Sequence, residues 1–186
     1  DNKVSIKSKT EVVFPKNEAT DMFYTYQDIA VKDREERQNY DCILKRGVTV
    51  LQLDSRSEVR PDYIKSFKCT ITGNCGNVFN PSTGYCLEKT TLTKTYDISG
   101  DRFKAKRFLF TIYFFLGADD VTDITLATQS TDTEDKVAKD LSFKNVHMVK
   151  GKMTIYKGPF LSTHSAVSFT IDSPTIPDSG FSTEFE

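Results

Sequence analysis

Four cysteines and two histidines are the scarcest reactive residues in this chain of 186 residues. Cys42, Cys69, Cys75 and Cys86 have 26, 5 and 10 residues between them. A structural zinc site needs closely spaced cysteine pairs, or one such pair with two spaced histidines. These intervals do not supply that, and His147 and His164 lie far downstream. A catalytic cysteine needs a histidine and a group to orient it, and neither histidine sits in a recognisable signature. The chemistry left to an even cysteine set is disulfide formation, predicted here as Cys42–Cys69 and Cys75–Cys86. The first bridge would join neighbouring strands, and the second would close the Gly/Asn/Pro loop 76–84. Each would add about 2–4 kcal/mol, mainly by restricting the unfolded chain. Disulfides imply an oxidising compartment. The chain also starts at Asp1 without Met, as after signal removal, so the expected localisation is secreted.

Other chemistry is thinly represented. There is no Gly-x-Ser-x-Gly elbow and no glycine-rich phosphate loop. Paired carboxylates could serve a hydrolase without any local motif, and 26 acidic residues offer many pairs. The lack of Trp, a common platform for sugar rings, makes a carboxylate-based hydrolase the third reading. The acidic runs 117–123 and 132–135 lack the alternating ligands of a calcium loop and read as solvated charge. No metal or cofactor is expected. A net charge of −1 provides no general field toward nucleic acid. The most apolar run, 108–116, is half the length of a transmembrane helix. Basic residues gather at Arg102, Lys104, Lys106 and Arg107 and again at Lys144, Lys150, Lys152 and Lys157. They would form a stripe at one sheet end, or guard an edge strand against aggregation.

The elements that would position these residues are strands. Tyr40, Cys42, Leu44, Val48 and Val50 share one parity, with Arg46 as the exception. Tyr63, Phe67, Cys69 and Ile71 share another face, with Lys65 as the exception, and Val167, Phe169 and Ile171 alternate with Ser168 and Thr170. Period-two alternation of this kind marks half-buried strands. Strands are predicted over 3–14, 20–31, 40–53, 63–72, 85–98, 103–116, 121–128, 140–149, 152–157 and 165–172. Val149 to Met153 reads as a tight hairpin, and only 32–38 and 133–139 suggest short helices. The expected fold is all-β: an antiparallel β-sandwich or barrel of about eight to ten strands with little helix. One β domain would cover 1–172, with an extended tail over 173–186. The size, strand number and cysteines are similar to lipocalin-type carriers, but that family's Gly-x-Trp signature is absent along with Trp, and a lipid-cup sandwich or a secreted immunoglobulin-like module fits equally.

The strand around 108–116 is apolar on both faces, so it should be central and covered twice. In an alternative reading, Phe108, Phe110, Ile112 and Phe114 line a cavity for an apolar small molecule or lipid. The leading expectation is a non-enzymatic binding module for a protein or other macromolecule. Its anchors would be exposed aromatics at Phe23, Tyr24 and Tyr26 and at Phe79 and Tyr85.

Overall fold

The structure, a computed structural model, describes residues 4–14, 18–30, 39–104, 106–162 and 170–172. Strands account for nearly all of its regular structure. The sandwich contains β5 (Thr49–Asp54), β6 (Ile64–Gly73), β7 (Cys75–Gly76), β10 (Leu92–Asp97), β11 (Leu109–Leu116), β12 (Val121–Asp132), β13 (Val137–Val149), β14 (Met153–Lys157) and β15 (Thr170–Asp172). One sheet runs β10-β6-β12-β13, and the facing sheet runs β15-β14-β5-β11-β7. A smaller sheet joins β1 (Ser5–Ser8), β2 (Glu11–Val13), β8 (Val78–Asn80) and β9 (Tyr85–Cys86). A two-stranded ribbon pairs β3 (Phe23–Tyr24) with β4 (Lys45–Arg46).

Alternation explains the main core. Phe67, Cys69 and Ile71 of β6 face Phe110, Ile112, Phe114 and Leu116 of β11, together with Ile124 and Leu126 of β12. The odd face of β11 is covered as well: Phe115 is fully buried against Phe14 and Phe79 of the smaller sheet's cluster. The two-faced strand is therefore the middle of three layers. Phe110 and Phe114 are packed interior residues, and Phe108 stacks on Phe110. Ile112 borders an open cleft of about 320 Å³ at the sandwich edge, near Cys69 and Leu92. There the N-terminal segment ties the sheets together, with Ala19 bridging Tyr113 and Glu18 paired to Lys94 at 3.2 Å. The Tyr96 hydroxyl donates to the Thr111 carbonyl at 3.0 Å and gives that strand edge a partner.

Several expectations need correction. The Val149–Met153 turn is tight, with Lys152 N–H donating to the Val149 carbonyl and Gly151 at φ +70°. Yet it passes the chain from one sheet to the other, because β14 pairs in parallel with β5. Residues 133–139 form no helix. Asp132 accepts the backbone N–H groups of Glu134 and Lys136, which turns β12 into β13. Lys65 broke the pattern at the start of β6 because the register with β12 shifts between Thr131 and Asp132. A bulge of this kind changes which face a residue takes, so Ile64 is buried and Tyr63 exposed. Tyr40, Cys42 and Leu44 share a parity but are exposed, since no layer among the described residues covers them. The basic groups do not form one stripe. Lys106 and Arg107 lie by Arg56 and Arg60 beyond the C-terminal end of β5, whereas Lys152 is at its N-terminal end. The expected helix 32–38 and tail 173–186 fall outside the described residues.

The predicted disulfides are not formed, and all four cysteines are free thiols. Cys42 is exposed on the N-terminal arm, whereas Cys69 is buried in the main core. Cys75 belongs to that same core, while Cys86 packs against the second cluster. Gly76 packs closely on Cys86: a Cβ there would stand 3.2 Å from the Cys86 sulfur. Burial pushes the Cys69 and Cys75 thiols up to about 12, which suppresses their thiolates. A thiol reagent at neutral pH should therefore label Cys42 first and Cys86 more slowly. Cys69 and Cys75 should react only on unfolding, for a total of four; fewer than four in denaturant would restore a bridge.

Candidate binding groove

The aromatic segment near residue 23 begins as a ribbon. Phe23 pairs with Arg46 and Tyr24 with Lys45. The Arg46 guanidinium lies 4.8 Å above the Phe23 ring, and its Nε is 3.1 Å from Asp21. Past this ribbon the two legs, 25–30 and 39–44, run on without strand pairing. Side chains join them instead. Gln27 Nε2 donates to the Asp41 carbonyl at 3.1 Å, and Tyr40 donates to the Ala30 carbonyl at 3.0 Å. The ribbon and its legs leave large apolar side chains in solvent: Tyr26 is 43% exposed, Leu44 61% and Ile43 75%, alongside Phe23, Ile29 and Tyr40.

The loop after β8 forms the opposite wall. Asn80 Oδ1 accepts the Ser82 backbone N–H at 3.0 Å and the Ser82 hydroxyl at 2.7 Å. Gly84 N–H donates back to the Asn80 carbonyl at 2.8 Å and closes the turn. Gly84 is required twice over. Its φ of +77° suits glycine, and a Cβ there would stand 1.9 Å from the Tyr24 hydroxyl oxygen. The Tyr24 ring thus lies over the turn and meets Phe79 edge-on, with centroids 4.8 Å apart. Between arm and loop is an open groove of about 430 Å³, bordered by Tyr24, Tyr26, Asp41, Lys45, Ser82 and Thr83.

A polar triad stands beside it. Tyr85 donates to Asp120 Oδ1 at 2.7 Å. Lys150 Nζ is 3.6 Å from the Tyr85 ring centroid and 3.7 Å from Asp120. Burial draws the Lys150 ammonium below its usual range, while Asp120 opposes that shift. The hydrogen bond to Asp120 pushes Tyr85 up to about 12, with burial adding to it. Because this lies above the ordinary value of 10.0, the neutral hydroxyl's stabilisation is whole below pH 10 and fades toward pH 12. In an Asp120→Asn variant the Tyr85 ring carbon, followed by NMR, should titrate closer to 10. An unchanged midpoint would refute the Asp120 contact.

A family description matches residues 2–180, and it reads "Family of unknown function (DUF6562)". The chain belongs to the DUF6562 family. No curated protein and no solved structure gives a significant match.

In this DUF6562 chain the structure gathers four of the five expected anchors at one end, and each has a distinct place. Tyr24 and Tyr26 border the groove, Phe23 stacks under Arg46 just outside it, and Tyr85 stands in the triad. Phe79 is a correction. Expected at the surface, it is fully buried, because β8 and β9 fold back as the layer covering Phe115. Asp41, Lys45 and Ser82 were not anticipated. Asp41 and Lys45 lay inside an expected strand, and only the Asn-Pro-Ser-Thr-Gly run signalled a turn. Asp120 and Lys150 are far apart in sequence, and they meet because Lys150 N–H donates to the Asp120 carbonyl where β13 ends beside the start of β12. The groove offers ring faces, one carboxylate, one ammonium and several hydroxyls, a set suited to binding.

Proposed function

We propose that this chain is a non-enzymatic recognition module that engages a macromolecular partner through the arm and the 81–83 loop. The observation that carries this reading is the arm itself. Six large apolar side chains stand in solvent on the ribbon and its two legs, next to a groove with two tyrosines. Concentrated exposed apolar surface on a folded protein marks interaction sites. Tyrosine supplies contact area with little rotamer entropy to lose. The ribbon, the Phe23–Arg46 stack and the Gln27 bond hold the arm before a partner arrives, which lowers the ordering cost of binding. Secretion was inferred largely from disulfides, and with the thiols free that inference loses its main support.

Photo-cross-linking from position 26 tests the reading. A photoreactive phenylalanine there should give a discrete adduct in extract from the native source. Excess unlabelled protein should compete it away, whereas a Tyr26→Ser/Ile43→Ser competitor should not. The reading falls if competed adducts arise only from a label at Leu109, at the opposite end of the sandwich.

A further inference from the structure

We infer that the groove takes an uncharged saccharide, so that the partner is read through a neutral glycan. This rests on the recognition reading above and names the ligand class of the same site. The enclosed space of about 430 Å³ is that of a compact small-molecule site, with the open side of a surface groove. Among the described residues Ile43 and Pro81 are its only aliphatic lining, too little apolar wall for a lipid chain. Asp41 and Lys45 offset each other, so neither a phosphate nor a polycation finds a matching field. A ligand that is polar, uncharged and partly apolar on one face satisfies all three conditions. A pyranose is such a ligand. Its C–H face suits the electron-rich face of a tyrosine ring, and its hydroxyls each donate and accept.

The polar groups are set for that exchange. The Ser82 proton is committed to Asn80 Oδ1, so the Ser82 oxygen presents lone pairs to an incoming hydroxyl. The Asp41 carboxylate only accepts, and the Lys45 ammonium only donates. Adjacent sugar hydroxyls can satisfy both at once, one giving its proton to Asp41 and the other receiving from Lys45. Gln27 does not compete for this role. Its amide is engaged with the Asp41 carbonyl, and its oxygen faces the Cys42 sulfur at 3.7 Å, so it braces the wall. Tyr26 is the exposed platform and Tyr24 the fixed one, held over Gly84 and against Phe79.

The experiment titrates isotope-labelled full-length protein with maltose, cellobiose, lactose and chitobiose, and with a heparin disaccharide as the anionic comparison. Backbone amide shifts are followed throughout. At least one neutral disaccharide should give saturable shifts confined to 24–27, 41–45 and 81–83. Its affinity should be nearly unchanged between low and high salt. Tyr26→Ala should weaken binding about tenfold, while Tyr26→Phe keeps most of it, and both should fold because residue 26 is exposed. Tighter binding of the heparin disaccharide would overturn the inference. So would a silent neutral panel beside a peptide from the cross-linked partner that shifts the same amides, an outcome that leaves the recognition module standing. If neither sugar nor partner shifts these amides, the inference and the recognition reading fall together.

Discussion

Truncating Phe67 to Ala lowers the stability of this sandwich by about 3–5 kcal/mol. The ring is fully buried and stacks on Phe110 with centroids 4.2 Å apart. It also meets Tyr96 at 6.4 Å and Phe160 at 6.2 Å, so one side chain links β6, β10, β11 and the segment after β14. How much a cavity costs depends on how far its walls can collapse. Here the walls are pinned. β6 is hydrogen-bonded between β10 and β12, and β11 between β5 and β7. Little relaxation is available, which places the loss toward the upper part of the range. Urea unfolding should show a lower midpoint with an unchanged slope, and the melting temperature should fall on the order of 10 °C. Phe143→Ala, on the half-buried face of edge strand β13, should cost clearly less. Equal losses for the two would mean that the core does not centre on Phe67. The groove should survive either truncation, since Tyr24 and Phe79 belong to the second cluster.

The main sandwich was legible because its strands obey period two over long stretches. Phe67, Cys69 and Ile71, and Phe108 to Leu116 on even positions, all announce an inner face. The apolar odd face of β11 announced a second cover as well, but nothing local said what that cover was. It comes from Phe14 and Phe79, which are brought together by two- and three-residue strands too short to show alternation. That is why Phe79 looked like a loop aromatic. Its neighbours Asn80, Pro81 and Gly84 are turn formers, and they fold the loop back onto the sheet with Phe79 beneath it.

The groove was half legible for the same reason. Tyrosines at 24 and 26 stand out by type, and the structure places both on its border. The opposite wall depends on a long-range closure, Tyr24 seated over Gly84, that no spacing rule encodes. The expected strand over 40–53 misled in an instructive way. Tyr40, Cys42 and Leu44 keep the parity of Val48 and Val50, but burial needs a facing layer, and the described sheets stop short of the arm. Apolar alternation without a cover is therefore the part of the pattern that marks a surface left for something else.

Glu58→Ala should destabilise the chain by about 2–4 kcal/mol, through an interaction the strand pattern never hinted at. The Glu58 carboxylate accepts the N–H of Leu161 at 2.6 Å and of Ser162 at 3.0 Å, and the Ser55 hydroxyl at 2.6 Å. The carbonyls of the same short segment are met from the other sheet. Lys139 Nζ donates to Pro159 and Ser162 at 2.7 Å each, and Ser130 donates to Leu161 at 3.1 Å. Two N–H groups and three carbonyls of residues 159–162 are thus met by side chains instead of a strand, and this lets Phe160 and Leu161 plug the end of the core. Removing the carboxylate strands two N–H groups in a partly buried setting, which costs more than the bonds were worth in water. Lys139→Met strands two carbonyls and should cost less, because a carbonyl tolerates a lost partner better than an N–H does. The two changes act on one segment, so the double variant should lose less than the sum of the singles. Hydrogen exchange locates the effect: in Glu58→Ala the Leu161 and Ser162 amides should exchange through local opening and lose more protection than the amides of β6 and β12, which fall only with the global stability. Amides at 161 and 162 that stay as protected as in the parent would show that the clamp does not hold this segment.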